Sequence, residues 1–201
     1  MLFDDTYKEI KKATRGMYRE KGSKFIAFSF PIYSGNEAKL KLNEVKRNEP
    51  SANHYCYAYI LNPDKSNYRM NDDGEPQSTA GKQIFKQIQK FQLTNILIVV
   101  IRYFGGTKLG IPGLIRAYST ATLLALEDAQ IINKNIEEKY QVNFKYSDIN
   151  GVMKLMKEYS LKILKREFKS NCKLIFLVPK NKSDLVLKKI KENHKLTISY
   201  L

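Results

Sequence analysis

Residues 96–101, ILIVVI, form the longest apolar run of the chain, and what surrounds them narrows the fold more than any other stretch. The run is far shorter than the ~18 apolar residues a membrane helix requires, and its β-branched content marks a strand buried on both faces. It continues through the glycine cluster of RYFGGTKLGIPG into LIRAYSTATLLALEDA, where Leu114, Ala117, Ala121, Leu124 and Ala125 recur at helical spacing. Pro112 suits the first turn of that helix. A strand, a glycine loop and a helix in direct succession commit this part of the chain to a layered fold of helices on a sheet.

The preceding residues supply the other layers. From Tyr7 to Ile32 the pattern reads as two or three short strands, with a hairpin break at Lys21 and Gly22. SGNEAKLKLNEVKRNEP carries Ala38, Leu42 and Val45 at helical spacing, begins near a capping Ser or Asn, and stops at Pro50. HYCYAYIL, residues 54–61, alternates: His54, Cys56, Ala58 and Ile60 face one way, Tyr55, Tyr57, Tyr59 and Leu61 the other. Both faces are largely apolar, so a central strand is expected; its tyrosines pack beneath a helix or stack bases. A short strand at Tyr68–Met70 follows, and Ile84, Phe85 and Ile88 mark a helix from Thr79 or Ala80 to Phe91.

Beyond Gln130 the rhythm changes. EEKYQVNFKY reads as a strand, SDINGVMKLMKEY as a helix capped by Ser147, SLKILKREF and CKLIFLVP as strands, NKSDLVLKKIKENH as a helix and KLTISY as a strand. The order βαββαβ is that of a ferredoxin-like domain. The fold expected is therefore α+β in two domains, 1–134 and 135–201, with INKN as the linker.

Composition excludes several classes. Two cysteines, Cys56 and Cys172, stand far apart without a CxxC or Cys/His spacing, which removes a disulfide framework and a zinc site and leaves buried thiols. MLFDDTYKEI has acids where a secretion signal has basic residues, so a cytoplasmic protein without a membrane partner is expected. The 35 Lys and Arg against 20 Asp and Glu give a formal charge of +15, which suits a polyanionic partner or, equally, solvated lysine-rich faces. Residues 136–201 hold 15 basic and 7 acidic residues, and are the denser in positive charge.

Two constellations can carry chemistry. The glycine cluster fits neither the GxxxxGK[ST] nor the GxGxxG phosphate template. Its Gly105, Gly106 and Gly113, with Arg102, Lys108 and Arg116, can hold an anion on helix-terminal amides and flanking cations; alternatively the glycines only permit a turn. In NDDGEP, the carboxylates of Asp72, Asp73 and Glu75 can take a divalent cation or work as an acid/base pair, although the spacing is not that of an EF-hand; a solvated turn, or carboxylates answering nearby basic residues, is the other reading. No GxSxG, HExxH or comparable catalytic motif occurs, so no catalytic residue and no cofactor is expected.

DDGEPQSTAGKQI followed by LTNILIVVIRYFGGTKLGIPGLIRAY resembles the signature of the IMPACT/YigZ family, with His54 and Cys56 and the upstream KGSKFIAF also fitting. The resemblance spans about residues 7–130 and departs from the pattern at Pro112, where the family usually has glycine. It implies an N-terminal α/β sandwich like the second domain of a small-subunit ribosomal protein, an antiparallel sheet backed by two helices. The tail is then expected to resemble the last domain of elongation factor G. In function the resemblance implies nucleic-acid or ribosome binding and translation regulation, with RNA, the ribosome or a translation-factor protein as partner. An enzyme acting on a small anionic ligand between the DDGEP and FGG loops is one alternative, and a protein-docking module for a translation factor the other.

Overall fold

The computed structural model describes residues 5–201, so residues 1–4 of the first expected domain lie outside it. The chain divides into two compact units, Tyr7–Lys134 and Asn135–Leu201, the latter joined by the described residues before Tyr7. None of the helices among the described residues is long and apolar enough to cross a membrane.

The first unit runs β1 (Thr6–Ile10), β2 (Thr14–Glu20), β3 (Ser23–Pro31), α1 (Gly35–Asn48), β4 (His54–Leu61), β5 (Asn67–Asn71), α2 (Gly81–Lys90), β6 (Ile96–Tyr103), α3 (Gly110–Glu127) and β7 (Ile131–Asn135). Its main sheet has the order β2-β3-β6-β4-β5, with every neighbouring pair antiparallel. The apolar run is the central strand β6, and its residues Ile96–Ile101 are buried without exception. Strand β4 divides its faces as the alternation requires. Cys56, Ala58 and Ile60 join Ile84, Ile88, Leu114, Ala117 and Ala121 of α2 and α3 in one core, while Leu61 joins Ala38 and Val45 of α1 in the other.

Two helices back one face, as the resemblance implies, and α1 covers the opposite face. Ser34 caps α1 by accepting a bond from the Glu37 amide at 3.2 Å, and the Glu37 carboxylate reaches back to the Tyr33 amide at 2.9 Å. The INKN segment is not a linker: it lies in β7, which pairs with β1 in a separate two-stranded sheet. Charge anchors this ladder. Glu9 of β1 is 1% exposed and is held by Lys134 of β7, Tyr33 Oη and Asn95 Nδ2.

The second unit runs β8 (Glu137–Lys145), α4 (Ile149–Glu158), β9 (Lys162–Glu167), β10 (Asn171–Pro179), α5 (Ser183–Lys191) and β11 (Thr197–Tyr200). Its sheet order, β11-β8-β10-β9 with antiparallel pairs, is the ferredoxin-like arrangement. Val142, Phe144, Leu174, Phe176 and Val178 pack against Val152 and Met156 of α4 and Val186 and Ile190 of α5. Both helices therefore lie on one face. Ser147 does not cap α4; it sits in a 3-10 turn, Tyr146–Asp148, that precedes the helix, and its hydroxyl meets Asp148 instead.

Candidate functional site

The three carboxylates of NDDGEP are each engaged within the protein. Asp72 reaches the start of α2, which has no side-chain cap of its own: its Oδ1 accepts from the amides of Ala80 at 3.0 Å and Gly81 at 2.8 Å, and its Oδ2 from Ser78 at 2.9 Å. A carboxylate at a helix N-terminus is stabilised by both the free amides and the helix dipole. Asp73 accepts from the Tyr55 amide at 2.7 Å, and its carbonyl accepts from His54 Nδ1 at 2.8 Å. Among the described residues, no group of three His, Cys, Asp or Glu side chains has a metal-holding arrangement.

Glu75 turns inward and meets the other signature block. Arg102 Nη1 bonds both of its oxygens, at 2.8 and 3.1 Å, and Tyr118 Oη donates to Oε1 at 2.8 Å. Both charged side chains are nearly dry, at 3% exposed for Glu75 and 7% for Arg102. The Arg102 guanidinium lies 5.4 Å from the ring centres of Phe25 and Phe104 and is held between them. Cys56 extends the network: its thiol meets Tyr118 Oη at 3.3 Å and donates to the Asp72 carbonyl at 2.9 Å. Burial raises the Cys56 thiol well above the usual range and is also the main cause of the upward shift of Tyr118. Burial thus favours the protonated form of both groups.

The expected anion-binding residues therefore separate. Arg102 is not a free cation at the surface; its charge is neutralised by Glu75 inside the unit. Gly105 is where it is because nothing larger fits: a Cβ there would stand 1.9 Å from the Gly22 carbonyl carbon. Gly106, at φ +85°, takes the left-handed conformation that glycine adopts freely. Helix α3 begins at Gly110, so the first-turn amides are those of Gly110 and Ile111, Pro112 has none, and Gly113 lies buried beyond them. Lys108 is exposed, and Arg116, 61% exposed, is held by Glu20 of β2. The two signature loops meet, but through structural bonds that neither motif alone predicts.

The family described as "Impact N-terminal domain" matches residues 21–126. The chain belongs to the IMPACT family. An IMPACT family member of Haemophilus influenzae is 32% identical over 157 residues, covering 77% of this chain and 76% of the relative. IMPACT family member YigZ of Escherichia coli is 31% identical over 152 residues, covering 75% and 74%. A crystal structure described as that of a hypothetical protein aligns over 98% of both chains with a TM-score of 0.78 at 26% identity.

In this IMPACT chain the open chemistry lies away from the signature network. The second unit leaves one face of its sheet without a helix. Across it, the register sets Lys173 beside Asn143 and Glu167, Ile175 beside Gln141 and Lys165, and Leu177 beside Lys139 and Lys162, with Lys145 continuing the row on β8. The sign is strongly positive: five lysines face Glu137 and Glu167, and Glu167 is already held by Lys165. A depression of about 440 Å³ at one end of this sheet is lined by Lys145, Lys173 and Lys195 together with Asn143, Asn171 and Glu167. The charge count of the last third had pointed here, but only strand register puts these lysines on one surface.

Proposed function

We propose that this IMPACT chain is a noncatalytic RNA- or ribosome-binding protein that acts in the regulation of translation, and that its second unit makes the phosphate contacts. The observation behind this reading is the helix-free sheet face with Lys139, Lys145, Lys162, Lys165 and Lys173. Among the described residues no aromatic ring lies against those side chains, which suits them to backbone phosphate rather than base sequence. The exposed Lys108 of the glycine loop is a second, weaker contact. The family resemblance adds translation as the setting.

Binding is measured by fluorescence anisotropy with a labelled single-stranded RNA at increasing salt. Five neutralised phosphates give a slope of log K against log salt of about −3.5, and Lys139→Ala with Lys173→Ala reduces it by about 1.4. Undetectable binding at low salt, or a slope unaltered by the paired substitution, overturns the reading. A protein partner captured equally well after nuclease treatment also overturns it, and favours a docking module.

A further inference from the structure

On the face of the first unit covered by α1, the aromatic side chains divide into two groups. Phe28, Phe30, Tyr55 and Tyr103 each lie under a cation, Arg15, Lys41, Lys46 and Lys24 respectively, at 5.2–5.5 Å. The hydroxyls of Tyr55 and Tyr103 both bond Glu49, the first at its carbonyl and the second at its carboxylate. Tyr57 and Tyr59 differ: among the described residues neither hydroxyl has a hydrogen-bond partner and neither ring has a cation or a stacked neighbour. Both open into a pocket of about 340 Å³.

The pocket has a simple structural origin. Helix α1 packs chiefly over β4 and β6, and a depression opens on the sheet face between it and the edge strand β5. Tyr57 and Tyr59 form its floor, Arg69 of β5 stands directly opposite Tyr59 in the register, and Lys39, Leu42 and Gly35 of α1 form the opposite wall. Gly35 lies beside Tyr59: a Cβ there would stand 3.8 Å from the phenol oxygen. The lining contains no carboxylate, and neither Lys39 nor Arg69 has an ion-pair partner among the described residues.

Two unengaged tyrosines beside two unpaired cations define a complementary ligand. Aromatic rings offer stacking to a planar group such as a nucleobase. A guanidinium fork offers bidentate bonds to phosphate, and the phenols can bond ring or ribose atoms. The volume is in the small-ligand range of about 300–1,000 Å³. We propose that this pocket binds a nucleotide, with the base against Tyr57 and Tyr59 and the phosphate on Arg69 and Lys39. The site is built from residues of the first unit alone, and its observations are independent of those for the lysine face.

Saturation-transfer NMR on the full chain, titrated separately with AMP, GMP, CMP and UMP, tests it, with inorganic phosphate and adenosine as controls. At least one nucleotide is expected to bind more tightly than either control. Arg69→Ala weakens it roughly tenfold or more, as loss of a charge-assisted bond does. Because Arg69 and Lys39 are exposed, the fold survives their removal. A 5′-phosphorylated tetranucleotide identifies the source: tighter binding than the mononucleotide marks an RNA end, equal binding a free nucleotide, provided either is lost with Arg69. Absence of binding by all four nucleotides at millimolar concentration, or binding that Arg69→Ala and Lys39→Ala leave intact, overturns the proposal.

Discussion

Replacing Glu75 by Gln tests the ion pair that joins the two signature blocks. The change keeps the shape of the side chain and removes its charge, leaving the Arg102 guanidinium between Phe25 and Phe104 without a counter-ion. With Glu75 at 3% and Arg102 at 7% exposure, water does not replace the lost partner. Breaking such a buried pair costs about 3–5 kcal/mol, a large fraction of the 5–15 kcal/mol that holds a typical domain. For a unit of this size the midpoint of thermal unfolding falls by about 10–20 °C. Hydrogen exchange read by mass spectrometry separates the units: amides of β6 and α3 lose protection, and those of β8 and β10 keep theirs. A second variant, Glu75→Leu with Arg102→Met, removes both charges and recovers most of the loss, because the desolvation cost disappears with the pair. A loss below about 1 kcal/mol in Glu75→Gln, or a double variant as unstable as the single, refutes the assignment of Glu75 to this structural role.

Two further outcomes follow from other positions. Gly105→Ala drives a methyl into the Gly22 backbone, 1.9 Å away, and costs about 3 kcal/mol or more in urea titration, whereas Gly106→Ala meets no atom within 4 Å and costs only about 1 kcal/mol for its positive φ. Tyr103 is raised to about 12, first by its hydrogen bond to Glu49, so the native state keeps a proton that the unfolded chain gives up near pH 10. Its contribution is complete below that pH and fades as pH rises toward 12. The alkaline limb of a stability–pH curve is accordingly shallower in Tyr103→Phe.

Local pattern reveals much of this architecture. The alternation of residues 54–61 sorts Cys56, Ala58 and Ile60 from Tyr55, Tyr57 and Tyr59 onto opposite faces, because a strand allows only a period of two. The βαββαβ order of the tail suffices for its topology, since two crossovers through helices joined by one hairpin have few ways to close with both helices on one face. What the pattern hides is partnership across distance. INKN looks like a polar linker because its pairing strand lies at the other end of the unit. Arg102 looks like a surface cation because its counter-ion is 27 residues away, brought near by the turn through α2. The NDDGEP carboxylates resemble a cation site until Asp72 is found at the amides of Ala80 and Gly81. The starting point of α3 is also hidden: Pro112 marks a first turn, yet Gly110 and Ile111 precede it within the helix.

The ladder between β1 and β7 has an evolutionary consequence. It clasps the opening and closing segments of the first unit, through the Lys11 amide on the Gln130 carbonyl and the Lys134 contact with Glu9. A unit whose two ends emerge side by side can be excised, permuted or spliced into an exposed loop of another chain with little entropic cost for joining it. Lys134 and Glu9 then act as a clasp that travels with the insert, and recombination between genes meets a part that arrives already closed.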